Sequence, residues 1–476
     1  MIFNSFEFIW LFPLIFCIYY FVAYAFKQKR NNKIENSFLL VVSYALILKW
    51  NPFYGFILFY ITLVTYFSAI FIEHKKAYRK SHYINGISLI LSLIPLLYFK
   101  YYNFITSSLI SFLQLFNFNI GLQGINYAIP IGISFYTLQA IGYLLDVYNN
   151  KIKAERNLWD YMLFVCFFPQ ILSGPISKAH DLIPQIKSHR EFNESQATEG
   201  LKLILWGLFL KVVVADRLGI TINYIYDDYL HQSGLFVSIA CFLYSFQIYG
   251  DFAGYSLMAI GVGKLMGINL INNFQRPYLS TSITNFWHRW HISLSIWLKD
   301  YIYIPLGRNK CSKIKNYRNI LLTFLVSGIW HGANITFIVW GLIHGILQSI
   351  EKIFKLNKDN SHVIKKILKI AITFILISFA WVFFRMPTCH DAIMVIKKMT
   401  IDFSIGIDVA LPTIFWCFSL VTIVFLKDIV DEYNITKLKL LHSHTRLVRW
   451  CTYITITLFI LFTGIFDAGQ FIYAGF

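Results

Sequence analysis

Apolar runs of about 20 residues recur along the chain between short clusters of Lys and Arg, the length a helix needs to cross a bilayer. The first extends from about Phe6 to Phe26 and is followed by Lys27, Lys29 and Arg30. It has no basic stretch ahead of it and is too long for the core of a cleavable signal, so it reads as an anchor with its N-terminus outside. Runs at about 37–50 and 52–72 are split by Asn51-Pro52, a turn signal, and end at Lys75, Lys76, Arg79 and Lys80. A hairpin with its tip outside leaves both basic loops in the cytosol, where Lys and Arg collect. Runs at about 84–103 and 126–148 then go out and return, to Lys151, Lys153 and Arg156.

From Trp159 to Pro175 the chain is apolar but short, with Pro169, Gly174-Pro175 and basic residues on both sides. That predicts a re-entrant segment, which must be buried in protein or line a wet cavity. Spans follow at about 201–222, leading to Asp227-Asp228, and 235–263, returning to Lys264. The run 319–350 would measure about 48 Å as a single helix, and Lys352 and Lys355 after it require an even number of crossings. It predicts two shortened helices meeting near Gly332, with His331 at the bend. Spans at about 367–386, 409–427 and 447–466 leave Gln470–Phe476 outside, like the N-terminus. The expected fold is an all-α polytopic membrane protein, a bundle of about 11 transmembrane helices with re-entrant and interfacial helices. It forms one integral domain over 1–476, with a motif-bearing core at about 126–350 and no internal repeat.

Composition excludes the soluble alternatives. Apolar residues make up 57% and charged residues 14%, against roughly 45–50% and 25% in soluble domains. A soluble chain this apolar would expose aggregating patches. The 42 Lys and Arg against 24 Asp and Glu give a net charge of +18. In a nucleic-acid binder that surplus gathers on one face of a polar domain. Here it lies between apolar runs, so the expected partners include membrane lipids and no nucleic acid, and the expected location is an inner membrane. The seven cysteines are scattered without Cys-x-x-Cys, which supports neither a zinc site nor a disulfide framework.

An ionisable side chain at membrane depth is expensive and is therefore a functional candidate. His331, in Ser327-Gly328-Ile329-Trp330-His331-Gly332, is the foremost. Desolvation leaves such an imidazole a neutral base, and the small neighbours Ser327, Gly328, Gly332 and Ala333 leave room for a substrate. The competing reading is a histidine bonded between helices that pack closely through glycine. His291 lies in Asn285-Phe286-Trp287-His288-Arg289-Trp290-His291-Ile292-Ser293-Leu294-Ser295. On one helix His288 and His291 share a face, but no carboxylate or cysteine stands at ligand spacing, so no metal is expected. Taken alone, the segment reads as an aromatic interfacial helix. It sits in the basic centre of the chain, 276–318, with Arg276, Arg289, Lys299, Arg308, Lys310, Lys313, Lys315 and Arg318. Gly261-Val262-Gly263-Lys264-Leu265-Met266-Gly267 has the wrong spacing for a dinucleotide loop and reads as close helix packing. No Gly-x-Ser-x-Gly, His-Glu-x-x-His or P-loop is present.

The stretches Asn285–Arg308 and Ser327–Gly345 closely resemble the two motif blocks of the membrane-bound O-acyltransferase (MBOAT) family, and most of all its alginate and peptidoglycan O-acetyltransferase branch. The resemblance extends to Pro130–Tyr148, Phe167–Pro175, Phe246–Leu279, Trp381–Arg385 and Phe471-Ile472-Tyr473, nearly the whole chain in order. It implies that His331, the histidine of Trp-His-Gly, is the catalytic residue, and that His291, the histidine of Phe-Trp-x-Arg-Trp-His, is a second implicated position. His288 stands where this branch commonly has Arg or another polar residue, and Arg308 where it often has Gly.

The implied activity is transfer of an acetyl or other acyl group from cytosolic acetyl-CoA, a donor substrate and not a bound cofactor, to an envelope polysaccharide outside a bacterial inner membrane. Arg289, Arg308, Lys310 and Lys313 are the expected donor-binding cations, since the donor carries phosphates. No stretch outside the membrane is large enough to hold a glycan strand, so a separate SGNH-hydrolase-like O-acetyltransferase is the expected partner. Tyr473 is a candidate acyl relay. The rival reading is a transporter or export subunit without covalent chemistry; against it stand the lack of repeat halves and of the intramembrane carboxylates that make a proton relay.

Overall fold

A computed structural model describes residues 3–25, 32–74, 80–118, 121, 124–125, 128–171, 174–356, 362–404, 406 and 409–466. Helices α1 (Phe6–Ala25), α2 (Lys33–Trp50) and α3 (Pro52–His74) open the fold. The turn between α2 and α3 forms as Asn51-Pro52 dictates: proline at the first helical position gives up no intrahelical bond, and the Asn51 side chain accepts the Phe53 N–H at 2.9 Å. Helices α4 (Lys80–Leu96) and α5 (Tyr102–Gln114) run on through a π-helical turn at Leu97–Tyr101, and α6 (Ile133–Tyr148) returns. The short α7 (Leu158–Cys166) and α8 (Phe168–Ile171) follow, with every residue from 160 to 171 buried. That is the condition a re-entrant segment has to meet.

Next come α9 (Ala179–Lys187), then α10 (Glu194–Leu208) and α11 (Asp216–Asp227) joined by a π-helical turn at Phe209–Ala215, and α12 (Gly234–Leu265). The remainder comprises α13 (Ile283–Arg289), α14 (Ile292–Leu298), α15 (Lys313–His331), α16 (Ile335–Phe354), α17 (Val363–Arg385), α18 (Cys389–Ile401), α19 (Leu411–Glu432) and α20 (Arg446–Thr463). The described residues contain no strand.

Eight helices among the described residues are long and apolar enough to cross a membrane: α1, α3, α4 with α5, α12, α16, α17, α19 and α20. This makes the chain a multi-pass membrane protein. The remaining expected spans coincide with α2, α6, α10 with α11, and α15, which are shorter or carry charge inside them. The outer helices expose apolar side chains such as Trp10, Leu14 and Phe21 on α1 and Trp450, Ile454, Leu458 and Phe462 on α20, a surface suited only to lipid.

α12 is the most buried of the eight, and glycines bring α10 against it. A Cβ on Gly200 would lie 2.7 Å from the Gly261 carbonyl oxygen, and one on Gly207 2.7 Å from that of Gly254. Gly261 is therefore a packing residue, as its spacing suggests. Carboxylates do occur among these buried helices, paired with a lysine. Lys211, buried, bonds Asp216 at 2.7 Å and Asp251 of α12 at 2.6 Å. The π-helical turn brings Lys211 and Asp216, five residues apart, onto one face. An ammonium between two carboxylates offsets the cost of burying each.

Candidate active site

α15 and α16 form an antiparallel hairpin whose contact depends on glycine. A Cβ on Gly328 would meet the Phe337 carbonyl oxygen at 2.3 Å, and one on Gly341 that of Phe324 at 2.4 Å. The hairpin breaks where the sequence places the bend: α15 ends at His331, Gly332 is extended, and Asn334 caps α16 by accepting the Thr336 N–H at 3.1 Å. His331 is buried, its ring centroid 4.9 Å from Trp330, 4.9 Å from Trp340 and 5.4 Å from Phe384. Its titratable neighbours are His291, Lys100 and His344.

The segment around His291 is not one interfacial helix. α13 ends at Arg289, His291 has φ 45°, and α14 starts at Ile292. His288 and His291 therefore part: His288 is at the surface and His291 is fully buried. Partial burial and the Lys299 ammonium hold the His288 pKa below its usual value. No group of three or more His, Cys, Asp or Glu that could hold a metal occurs among the described residues. The left-handed turn at His291 is pinned by Asn273. Its side-chain oxygen accepts from Ser293 N–H at 3.0 Å, from Ser293 O–H at 2.9 Å and from His291 Nδ1 at 3.3 Å, while its backbone oxygen accepts from Ile292 N–H at 3.0 Å.

Flanking helices clamp this segment from two sides. Glu351 of α16 accepts the backbone N–H groups of Ile283 and Thr284 at the start of α13, where a carboxylate suits the helix dipole. Glu432 of α19 takes a two-pronged bond from Arg289, at 2.9 and 3.0 Å, and one from Arg276 at 2.7 Å. Between the clamps the His291 ring lies 5.9 Å from Trp330 and 4.6 Å from Phe252, so both motif histidines share one aromatic cage.

A cavity of about 160 Å³ has exposed His180, Asp181 and Asn269 and buried Gln139, Ser177 and Ser293 in its lining. Ser293 joins the cavity lining to Asn273 and so to His291. Of the expected donor-binding cations, Arg289 is held by Glu432, and Arg308, Lys310 and Lys313 are exposed between Tyr303 and the start of α15. None lines this cavity, whose basic groups are Lys178 and His180. Tyr473 lies outside the described residues, as do Lys27, Lys29, Arg30, Lys75, Lys76 and Arg79 of the basic loops.

Three buried polar residues beside the centre escaped the sequence reading. His344 accepts from the Trp287 indole N–H at 3.3 Å and stands 4.9 Å from Trp340. Asn273 lies within the resembling stretch Phe246–Leu279 without being singled out there. Lys100 donates to the Trp330 carbonyl at 2.6 Å; a lysine inside an apolar run was its only signal.

The fold and site define a multi-pass, all-helical membrane protein built around two buried histidines in one aromatic cage. Residues 148–389 match the membrane-bound O-acyltransferase (MBOAT) family. The chain is 36% identical over 401 residues to the probable alginate O-acetylase AlgI of Pseudomonas syringae pv. tomato, covering 82% of this chain and 74% of the relative. It is 35% identical over 432 residues to the peptidoglycan O-acetyltransferase of Helicobacter pylori, covering 84% and 80%. It is 28% identical over 390 residues to the teichoic acid D-alanyltransferase of Bacillus subtilis, covering 75% and 91%. The chain belongs to the MBOAT family and is an O-acyltransferase, which decides against the non-catalytic reading.

Proposed function

We propose that this enzyme moves an acetyl group from cytosolic acetyl-CoA, across the cytoplasmic membrane of a bacterium, to a hydroxyl of an extracytoplasmic polysaccharide. The observation that supports this most is the placing of His291 and His331 in one aromatic cage, which Asn273 links to Ser293 in the lining of a cavity. Relatives named for O-acetylation of alginate and peptidoglycan match at higher identity than the D-alanyltransferase, which favours acetyl as the group moved. In this reading the basic face around 151–190 and 276–318 is cytosolic, the termini are outside, and 1–476 acts as one domain.

His331 serves as general base. It takes the proton of the attacking hydroxyl as that oxygen bonds to the thioester carbon; the C–S bond then breaks and the CoA thiolate receives the proton. Base assistance of this kind is worth about 10²–10⁴-fold. His291 is the second polar group of the centre. Arg308, Lys310 and Lys313 attract the donor phosphates, and no bound cofactor or metal takes part. A separate SGNH-hydrolase-like transferase completes delivery outside, with Tyr473 as a relay.

Membrane vesicles containing the enzyme, supplied with radiolabelled acetyl-CoA, test the reading. Label in the polysaccharide fraction that disappears in His331→Ala supports it; absence of any thioester turnover with its partner present would sink it.

A further inference from the structure

We propose that Lys100 is a positioning residue for acyl transfer, which holds the last turn of α15, and with it His331, from the helix opposite. The inference rests on the reading of His331 as the base.

Lys100 sits within the apolar segment Ser81–Gln114 and is 7% exposed. A buried ammonium in such a segment is costly and calls for a reason. Here it enters no ion pair with a carboxylate among the described residues. It donates instead to the Trp330 carbonyl oxygen at 2.6 Å and to Ser134 Oγ at 3.3 Å, and lies 5.7 Å from the Trp330 ring centroid. The next residue, Tyr101, donates its hydroxyl to the Ile329 carbonyl oxygen. Two consecutive side chains thus cap two consecutive carbonyls.

Those carbonyls belong to the last turn of α15, which has no intrahelical donors for them and forms the negative end of the helix dipole. A cation there is both a hydrogen-bond donor and a charge complement. Both capping side chains belong to the π-helical turn Leu97–Tyr101, a distortion frequent at functional sites. His331 follows Trp330 directly, and extended Gly332 beyond it continues no helix. Without the cap, that turn can fray, and the imidazole moves with it. Misplacing a catalytic group by about 1 Å costs on the order of 10²-fold in rate.

The test uses the full chain in membrane vesicles with radiolabelled acetyl-CoA, comparing wild type, Lys100→Met, Lys100→Gln, Lys100→Arg and His331→Ala. Lys100→Met should lower kcat by about tenfold or more with KM for acetyl-CoA within about twofold and the detergent melting temperature unchanged. Lys100→Arg, which keeps a cation and donors, should recover most of the loss; Lys100→Gln, which keeps the donor alone, should fall between and stands in if the Met variant does not accumulate. Wild-type kcat in both Met and Gln variants overturns the proposal. So does a rise in KM alone, or a loss that tracks the melting temperature and that Arg does not relieve. An active His331→Ala would instead remove the base assignment, whereas an inactive His331→Ala beside an active Lys100→Met removes the positioning role only.

Discussion

The Nδ1 of His291 lies 3.3 Å from the side-chain oxygen of Asn273. That oxygen also takes the N–H and O–H of Ser293, so it is an acceptor toward every group around it. The imidazole therefore carries its proton on Nδ1 and directs the lone pair of Nε2 away from Asn273, the fixing of a tautomer by a partner residue. One amide thus sets the backbone turn at His291, the orientation of its ring, and its link to the cavity lining.

Asn273→Ala removes an acceptor from three donors at once and leaves the Ser293 N–H unpaired in a buried place, a loss of about 1–3 kcal/mol. Acetyl transfer should fall by about tenfold or more, since the ring loses its orientation. Asn273→Asp keeps the acceptor and should be the milder variant. Melting temperature and labelled-acetyl transfer, read on the same preparations, check both effects.

His331→Ala should reduce transfer by at least about 10²-fold, the lower range for loss of a general base, with protein in the membrane at near-normal level. His291→Ala should impair transfer less. Quantitative immunoblotting of membranes beside the transfer assay separates activity from abundance, and an active His331→Ala would end the assignment.

Much of this was legible in the sequence because apolar run length and cation placement are local signals. The break at Gly332 and the burial of 160–171, inside the short run Trp159–Pro175, followed from them, whereas the pairing of His291 with His331 came from the family resemblance. The rest depends on contacts between segments far apart. Lys211 and Asp216 lie unremarked within the expected span 201–222, and only the π-helical turn and Asp251 bring them together. His291 read as part of a continuous helix, because nothing local to it announces the turn that Asn273, eighteen residues earlier, imposes. Among the described residues eight helices meet the length and apolarity of a span by themselves, while α2, α6, α10 with α11, and α15, at the other expected spans, pack among neighbours and have less apolar length of their own.

Gly332 is required by its neighbour and not by its backbone, which is extended. A Cβ there would lie 2.2 Å from the Phe337 ring, so Gly332→Ala must displace either the ring or the residue next to His331. Transfer should drop by about tenfold or more, and Phe337→Leu, which shortens the obstructing side chain, should restore part of it in the double variant. Equal activity of Gly332→Ala and wild type would show that the ring yields freely.

Replacing Arg308, Lys310 and Lys313 together by Gln should raise KM for acetyl-CoA more than it lowers kcat, the pattern of lost uniform binding. The effect should shrink as salt rises, because the three cations are exposed and screened. Arg289→Gln should behave differently. It breaks the two-pronged bond to Glu432 and should lower the melting temperature. Steady-state kinetics at low and high salt distinguish donor attraction from a role confined to keeping the loop in the cytosol.

Tyr473→Phe tests the relay. The C-terminal Gln470-Phe471-Ile472-Tyr473-Ala474-Gly475-Phe476 is too apolar for a solvated tail, and tyrosine also serves as an anchor at the membrane interface. The two roles separate at the hydroxyl. A phenol has a pKa of about 10, far below that of a sugar hydroxyl, so an acetyl ester on Tyr473 is activated and its passage to a glycan runs downhill. In the relay the Tyr473 oxygen bonds to the acetyl carbon as CoA leaves, with its proton taken by His331; the partner's serine then takes the acetyl and the phenol regains a proton. Phenylalanine keeps the aromatic ring and cannot form the ester. The expected result is loss of polysaccharide acetylation with acetyl-CoA binding intact. Full acetylation by Tyr473→Phe with the partner present would leave the residue an anchor.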